Sequence, residues 1–384
     1  MSNKIFLYIL IFINIIILNS CNYKEKKNLK LEKEIQLGKL LFSDPIISKN
    51  QTQSCATCHN INHAFIDNRN NNFNKAFSLG DDGISFTNRN TPTLSYALFS
   101  PNFHFNNKSN SYIGGFFYDG RASDLKYQAK EPILNKKEMN IPSKEFLIKR
   151  LEKNPFYNKM FKDIYGENIF KNSNKTYEML AQSISSFEKT KIFRPFDSKY
   201  DRYLKGKYNL TLLEDLGKSI FFSNNNNNCA SCHMLKKPDS FKETFTNYKY
   251  HNIGTPKNDN TPNKKDFIDN GLLNNSLVKN EIYNGKMKVP TLRNIALTSP
   301  YMHNGVFKKL ETVIKFYDKY VNKKRIINPE TKKPWKNPEV YINKEDIKIL
   351  KNAKQLNDRK IKALIAFMKL LTDKKYEYLL IDDN

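Results

Sequence analysis

Beyond its N-terminus the chain alternates short amphipathic stretches with long polar connections. Apolar residues recur at three- and four-residue steps in Glu145–Leu151, Tyr177–Phe187, Leu310–Tyr320 and Ile361–Leu371, which predicts helices there. No segment shows a run of alternating apolar and polar residues long enough to predict a strand. Insertions rich in Pro, Asn and Lys at Thr255–Asp269 and Val321–Asn343 read as surface loops. The expected class is all-α.

The first residues follow a different pattern. Lys4 precedes an apolar run from Ile5 to Leu18, broken by Asn14 and ending in Leu18-Asn19-Ser20-Cys21. A basic start and a short apolar core describe an export signal, too short to span a bilayer comfortably. The ending resembles a bacterial lipobox, which would make Cys21 a lipidated N-terminus and residues 22–32 a tether to a membrane surface. The competing reading is an uncleaved signal anchor. The expected location is the periplasm or cell envelope.

The pattern also repeats. Leu37-Gly38-Lys39-Leu40-Leu41-Phe42 corresponds to Leu216-Gly217-Lys218-Ser219-Ile220-Phe221, and Pro92-Thr93-Leu94 to Pro290-Thr291-Leu292. Asp119-Gly120 with Leu125 is matched by Asn304-Gly305 with Leu310. So long a period is a domain duplication, not a solenoid. The halves divide near Phe193–Tyr200, giving expected domains at 33–195 and 196–384.

With 384 residues and 39% hydrophobic content, the chain can build two globular cores. A net charge of +26, mostly Lys, accompanies abundant Asn and Ile, the signature of an AT-rich genome. The functional reading of that charge is attraction to an acidic protein or anionic lipid. No nucleic-acid-binding motif is present, so nucleic acid is not an expected partner.

Five cysteines sort completely. Besides Cys21 there are two identical spacings, Cys55-Ala56-Thr57-Cys58-His59 and Cys229-Ala230-Ser231-Cys232-His233. The pattern C-x-x-C-H reads as covalent c-type haem attachment: two thiols bond the vinyl groups and the histidine supplies an axial nitrogen. Zinc modules are far more compact than this separation. A thioredoxin-like dithiol lacks its βαβ surroundings, and a local disulfide leaves both histidines unexplained.

These motifs, with Arg89-Asn90-Thr91-Pro92-Thr93-Leu94, Tyr118-Asp119-Gly120-Arg121, Gln128-Ala129, Asn135-Lys136-Lys137-Glu138-Met139, Val289-Pro290-Thr291-Leu292-Arg293-Asn294 and Pro300-Tyr301-Met302-His303-Asn304-Gly305, resemble the bacterial diheme cytochrome c peroxidases and MauG-type proteins. The resemblance implies two all-α, cytochrome c-like domains, each with one covalent haem. It implies peroxide reaction at the haem of Cys55, Cys58 and His59, and electron entry at that of Cys229, Cys232 and His233. Glu138 would be the acid/base, and Gln128 would orient peroxide. A calcium ion would sit on the Asn90 side chain and the Thr298 and Pro300 carbonyls. The implied partners are hydrogen peroxide and a small donor cytochrome or cupredoxin, with a homodimer as the assembly.

The chain departs from that pattern three times. The stretch Ser78–Phe86 lacks the distal histidine of many peroxidases, leaving the first haem open; His63 and His104 are alternative ligands or ordinary structural histidines. Tyr317, fourteen residues after His303, stands where peroxidases have methionine and MauG-type proteins tyrosine. Met234, Met287 and Met302 are replacement ligands or core residues. Tyr118 replaces the family's inter-haem tryptophan, and the lone Trp335 lies in a loop. Three functions compete: a peroxidase, a MauG-type oxidase of a protein substrate, and a diheme electron carrier. Gln128 and Glu138 argue against the carrier, which needs no proton shuttle.

Overall fold

The computed structural model describes residues 25–223, 229–235 and 243–380; the expected signal, Cys21 and the start of the expected tether lie outside them. Helix α1 spans 25–43, and α2 is the single turn Cys55–Cys58. After α3 (Leu125–Leu134), α4 (Lys144–Lys153), α5 (Pro155–Tyr165) and α6 (Ser173–Glu188) complete the first half. The second half holds α7 (Lys199–Leu204), α8 (Leu212–Phe222), the single turn α9 (Cys229–Cys232), α10 (Leu310–Asp318), α11 (Lys344–Lys351) and α12 (Asp358–Lys369).

The four helices read from periodicity are all present, with ends set by caps. Ser143 receives the Phe146 N–H to start α4, and Asn357 receives the Lys360 N–H to start α12. Helix α10 stops at Asp318, short of the expected Tyr320. Strands exist where none was expected. β1 (His104–Asn106) pairs antiparallel with β2 (Ser111–Ile113), and β3 (Tyr250–His251) with β4 (Met287–Lys288). Two or three residues are too few to show an alternating pattern.

Apolar side chains gather in two main cores. One draws on Leu37 through Phe193, the other on Tyr200 through Leu371. The duplication is visible in their packing. A Cβ on Gly38 would stand 1.8 Å from the Ser183 carbonyl oxygen on α6, and one on Gly217 would stand 1.9 Å from that of Ala363 on α12. Each glycine therefore lets two helix backbones cross in contact, which explains the repeated Leu-Gly-Lys. Thr93 Oγ1 donates to the Ala64 carbonyl at 2.5 Å, and Thr291 Oγ1 to the Thr244 carbonyl at 2.6 Å. The two Pro-Thr-Leu segments thus brace equivalent loops.

Polar contacts join the halves. Tyr376 OH donates to the Ile61 carbonyl at 2.7 Å, and Tyr96 OH donates to Asp373. Within the second half, Arg293, fully buried, pairs with Asp201 at 2.6 Å. Among the described residues no helix is long and apolar enough to cross a membrane.

Candidate haem and peroxide site

Each C-x-x-C-H motif forms one helical turn and then breaks, so that the histidine leaves the helix. His59 Nδ1 donates to the Phe65 carbonyl at 3.1 Å, and His233 Nδ1 to the Phe245 carbonyl at 3.0 Å. Committing Nδ1 to a carbonyl leaves the lone pair on Nε2, the tautomer an iron ligand needs. Burial lowers the basicity of both rings, that of His233 to about 4, so both stay neutral. The four described cysteines are free thiols, which removes the disulfide alternative. Among the described residues no group of three or more His, Cys, Asp or Glu is placed to hold a metal ion.

One cavity of about 790 Å³ runs between the halves, lined by Cys58 and His59 on one side and Cys229, Cys232 and His233 on the other. Paired free thiols, neutral imidazoles with an available nitrogen and a large, mostly apolar space fit covalently bound haem.

Beside His59 the wall is built by α3 and the turn after it. Asp124 caps α3 by accepting the Tyr127 N–H at 2.8 Å. Gln128 and Pro132 follow one turn apart and both line the cavity, as do Asn135 and Glu138. Asn135 Nδ2 donates to Glu138 Oε1 at 2.6 Å. Burial pushes the Glu138 carboxyl up to about 7, while the Arg121 guanidinium and Asn135 pull it partly back. Its charge reaches the Cys55 and Cys58 thiols. Glu138 therefore faces the first motif with both protonation states accessible near neutral pH.

Tyr317 on α10 also lines the cavity. Its ring is 37% accessible although it is enclosed, because the accessible surface is cavity wall. It lies close enough to Cys229 and Cys232 for their charges, after burial, to raise its phenol. Met287 and Met302 line the cavity too, whereas Met234 is exposed and is not a core residue. His63 and His104 are not among the lining residues; His104 sits on β1 with Nδ1 at 2.8 Å from the Asn102 carbonyl. Tyr118 is enclosed at the junction, its ring 6.4 Å from that of His303 at 68°. Trp335 is remote, packing on Phe307 and Phe316.

Asn90, Thr298 and Pro300 converge from the two halves on the cavity wall. Asn90 Nδ2 donates to the Pro300 carbonyl at 2.6 Å. Calcium takes oxygen donors, so these residues fit it only with the amide turned to present its oxygen.

The sequence did not reveal the ionic chain beneath this junction. Arg89 grips Asp269 with two bonds, 2.6 and 2.7 Å, and Asp119 with a third of 2.7 Å. Asp119 also holds Arg121. Asp269 closes a segment expected to be a surface loop, yet it is buried, and Arg89 holds its carboxyl down to about 2. Arg89 and Asp119 stood in the motifs, but their partner lies 180 residues beyond Arg89 with no local signal. His251, which pairs with Asp346 at 2.9 Å beside Cys232, was likewise missed.

Comparison with known proteins agrees with this geometry. A family model described as di-haem cytochrome c peroxidase matches residues 32–209. Methylamine utilization protein MauG of Paracoccus denitrificans is 43% identical over 351 residues, 90% of this chain and 89% of that protein. Cytochrome c551 peroxidase of Nitrosomonas europaea is 31% identical over 284 residues, 73% of this chain and 71% of that one. The crystal structure of the diheme peroxidase BthA from Burkholderia thailandensis superposes with a TM-score of 0.81 at 26% identity, covering 91% of this chain and 88% of that one. With both haem motifs opening on one cavity, and with relatives matched over nearly its whole length, the chain belongs to the family of di-haem cytochrome c peroxidases and MauG proteins, which are oxidoreductases.

Proposed function

We propose that the chain, organised as two cytochrome c-like domains, reduces hydrogen peroxide to water at the haem held by Cys55, Cys58 and His59. Electrons arrive one at a time from a small reduced cytochrome or cupredoxin through the haem held by Cys229, Cys232 and His233. When bound, the haems supply the iron that binds peroxide and the two electrons that split its O–O bond. The balance is one peroxide, two electrons and two protons to two waters. The protein residues handle the protons. Glu138 accepts the proton of the oxygen that binds and returns it to the oxygen that leaves. Gln128, on the same wall, orients the peroxide and donates to developing negative charge.

The carrying observation is Glu138: a buried carboxyl beside the first haem motif with an acidity near 7. A mere electron carrier has no use for it. The test is oxidation of reduced cytochrome c by peroxide with the mature diheme protein. Glu138→Gln is expected to lower the rate by about 10²–10⁴ with both haem spectra intact, the range for removing a general acid/base. An unchanged rate would refute the assignment.

Tyr317 favours a second reading, a MauG-type oxidase that draws electrons from a protein substrate. An anionic phenolate ligand favours the oxidised iron and makes the second haem a poorer acceptor from a cytochrome. Under that reading the same assay shows slow cytochrome oxidation despite rapid reaction with peroxide. Export, lipid attachment at Cys21 and a calcium ion at Asn90, Thr298 and Pro300 complete the proposed picture.

A further inference from the structure

Among the side chains that share a cavity wall with Glu138, Arg121 also reaches solvent. Arg121 lines the cavity and yet is 34% exposed. Three contacts hold it across the wall. Its Nη1 lies 3.1 Å from Asp119, its Nε donates to Glu131 at 2.8 Å, and its guanidinium carbon lies 3.6 Å from the centre of the Phe117 ring. Phe117 itself lines the cavity and is fixed in a left-handed backbone conformation, φ 61°. Asp119 is buried and anchored from behind by Arg89, so the fixed end of the arrangement is inside. Glu131, on the last turns of α3, is 36% exposed, so the loose end is outside. Arg121 is also close enough to Glu138 to act on its carboxyl. On the other flank, exposed Lys137 reaches across to Asn88 at 2.6 Å, and both line the same cavity.

We infer that Arg121 is a gate over the peroxide site: latched to Asp119 and Glu131 and lying flat on Phe117, it admits hydrogen peroxide to Glu138 and excludes bulkier hydroperoxides. The inference rests on the reading of Glu138 and the first haem given above. It adds a specificity-determining residue that opens by releasing its outer latch. Ion pairs this exposed are weak, so the gate is closed on average but opens readily.

The test uses the mature oxidised protein with both haems attached. Cyanide serves as a small probe and imidazole as a bulky one, with association to the first haem followed in the Soret band. Arg121→Ala removes the gate and is expected to speed imidazole association on the order of tenfold, the factor by which two such latches keep it shut in the parent. Cyanide, small enough to pass the closed gate, should change by less than about threefold. Glu131→Gln releases only the exposed latch and leaves Asp119 paired with both arginines. It is expected to shift imidazole in the same direction by a smaller factor, and it carries the test if Arg121→Ala does not fold. An imidazole rate unchanged in the folded variants overturns the gate. If the parent protein binds neither probe at the first haem, the open-site reading beneath the gate falls instead.

Discussion

Glu188 should make the protein lose stability as pH rises, and one substitution should abolish that loss. It is the last residue of α6, 5% exposed, with Oε2 unpartnered among the described residues. Burial raises its carboxyl from 4.5 to about 8, opposed only by the neighbouring Lys189. A group that binds its proton more tightly when folded stabilises the fold fully below its unfolded pKa. That contribution is lost as pH climbs through the folded value. The window therefore runs from about pH 4.5 to about pH 8. At about 1.4 kcal/mol per unit, this one carboxyl removes about 3–4 kcal/mol of unfolding free energy between pH 5 and pH 8. Glu188→Gln keeps the shape and cannot ionise. It should lie within about 1 kcal/mol of the parent at pH 5. At pH 8 it should be the more stable protein by about 3 kcal/mol. Glu138 and Asp373, also raised, titrate in both proteins, so their effect cancels in the difference. The assay is denaturant unfolding of the mature diheme protein at several pH values. Parallel pH profiles for parent and variant would refute the argument that Glu188 is buried without a partner.

Two further outcomes follow from the same geometry. Gly217→Ala should cost about 1–3 kcal/mol, because a Cβ 1.9 Å from the Ala363 carbonyl forces α8 off α12; a melting temperature within a degree of the parent would contradict that packing. Tyr317→Phe should change the electron paramagnetic resonance of the second haem and leave that of the first, since Tyr317 lies by Cys229 and Cys232; identical spectra would remove Tyr317 as a ligand.

Legibility in the sequence followed the range of the interactions. Haem attachment was readable because C-x-x-C-H packs two thiols and a ligand into five residues. The roles proposed for Glu138 and Gln128 come only from resemblance, since neither has a local signature. Both line one wall because α3 ends at Leu134, capped by Asn135, and the chain turns back on it. The helices were readable by period, the tiny strands were not, and the pair of cores followed from the repeat. What stayed hidden were contacts between distant segments. Asp269 looked like part of a polar loop because its loop is polar; only the fold shows that Arg89 draws its end into the interior.

The duplication explains why that junction is where chemistry concentrates. In each half a tight loop closes with one antiparallel bridge, Phe116 to Ala122 and Tyr301 to Phe307. Each loop bends through the left-handed region twice, at Phe117 and Gly120 in one and at Met302 and Gly305 in the other. Each presents one ring at its tip, Tyr118 or His303, and the two tips meet across the cavity. The repeated scaffold thus brings both haem motifs to a shared space, and function arises where the copies differ. After the first tip, α3 leads to a protonatable carboxyl; after the second, α10 carries a phenol. Under the function proposed above, the carboxyl serves proton transfer at the first haem, whereas a phenolate at the second would favour its oxidised iron. At the junction itself, tyrosine stands where a proton-free relay would use tryptophan. An electron that hopped through Tyr118 by oxidising it would move a proton as well, in a site where burial holds its hydroxyl up to about 12 and the Arg89 charge pulls it partly back.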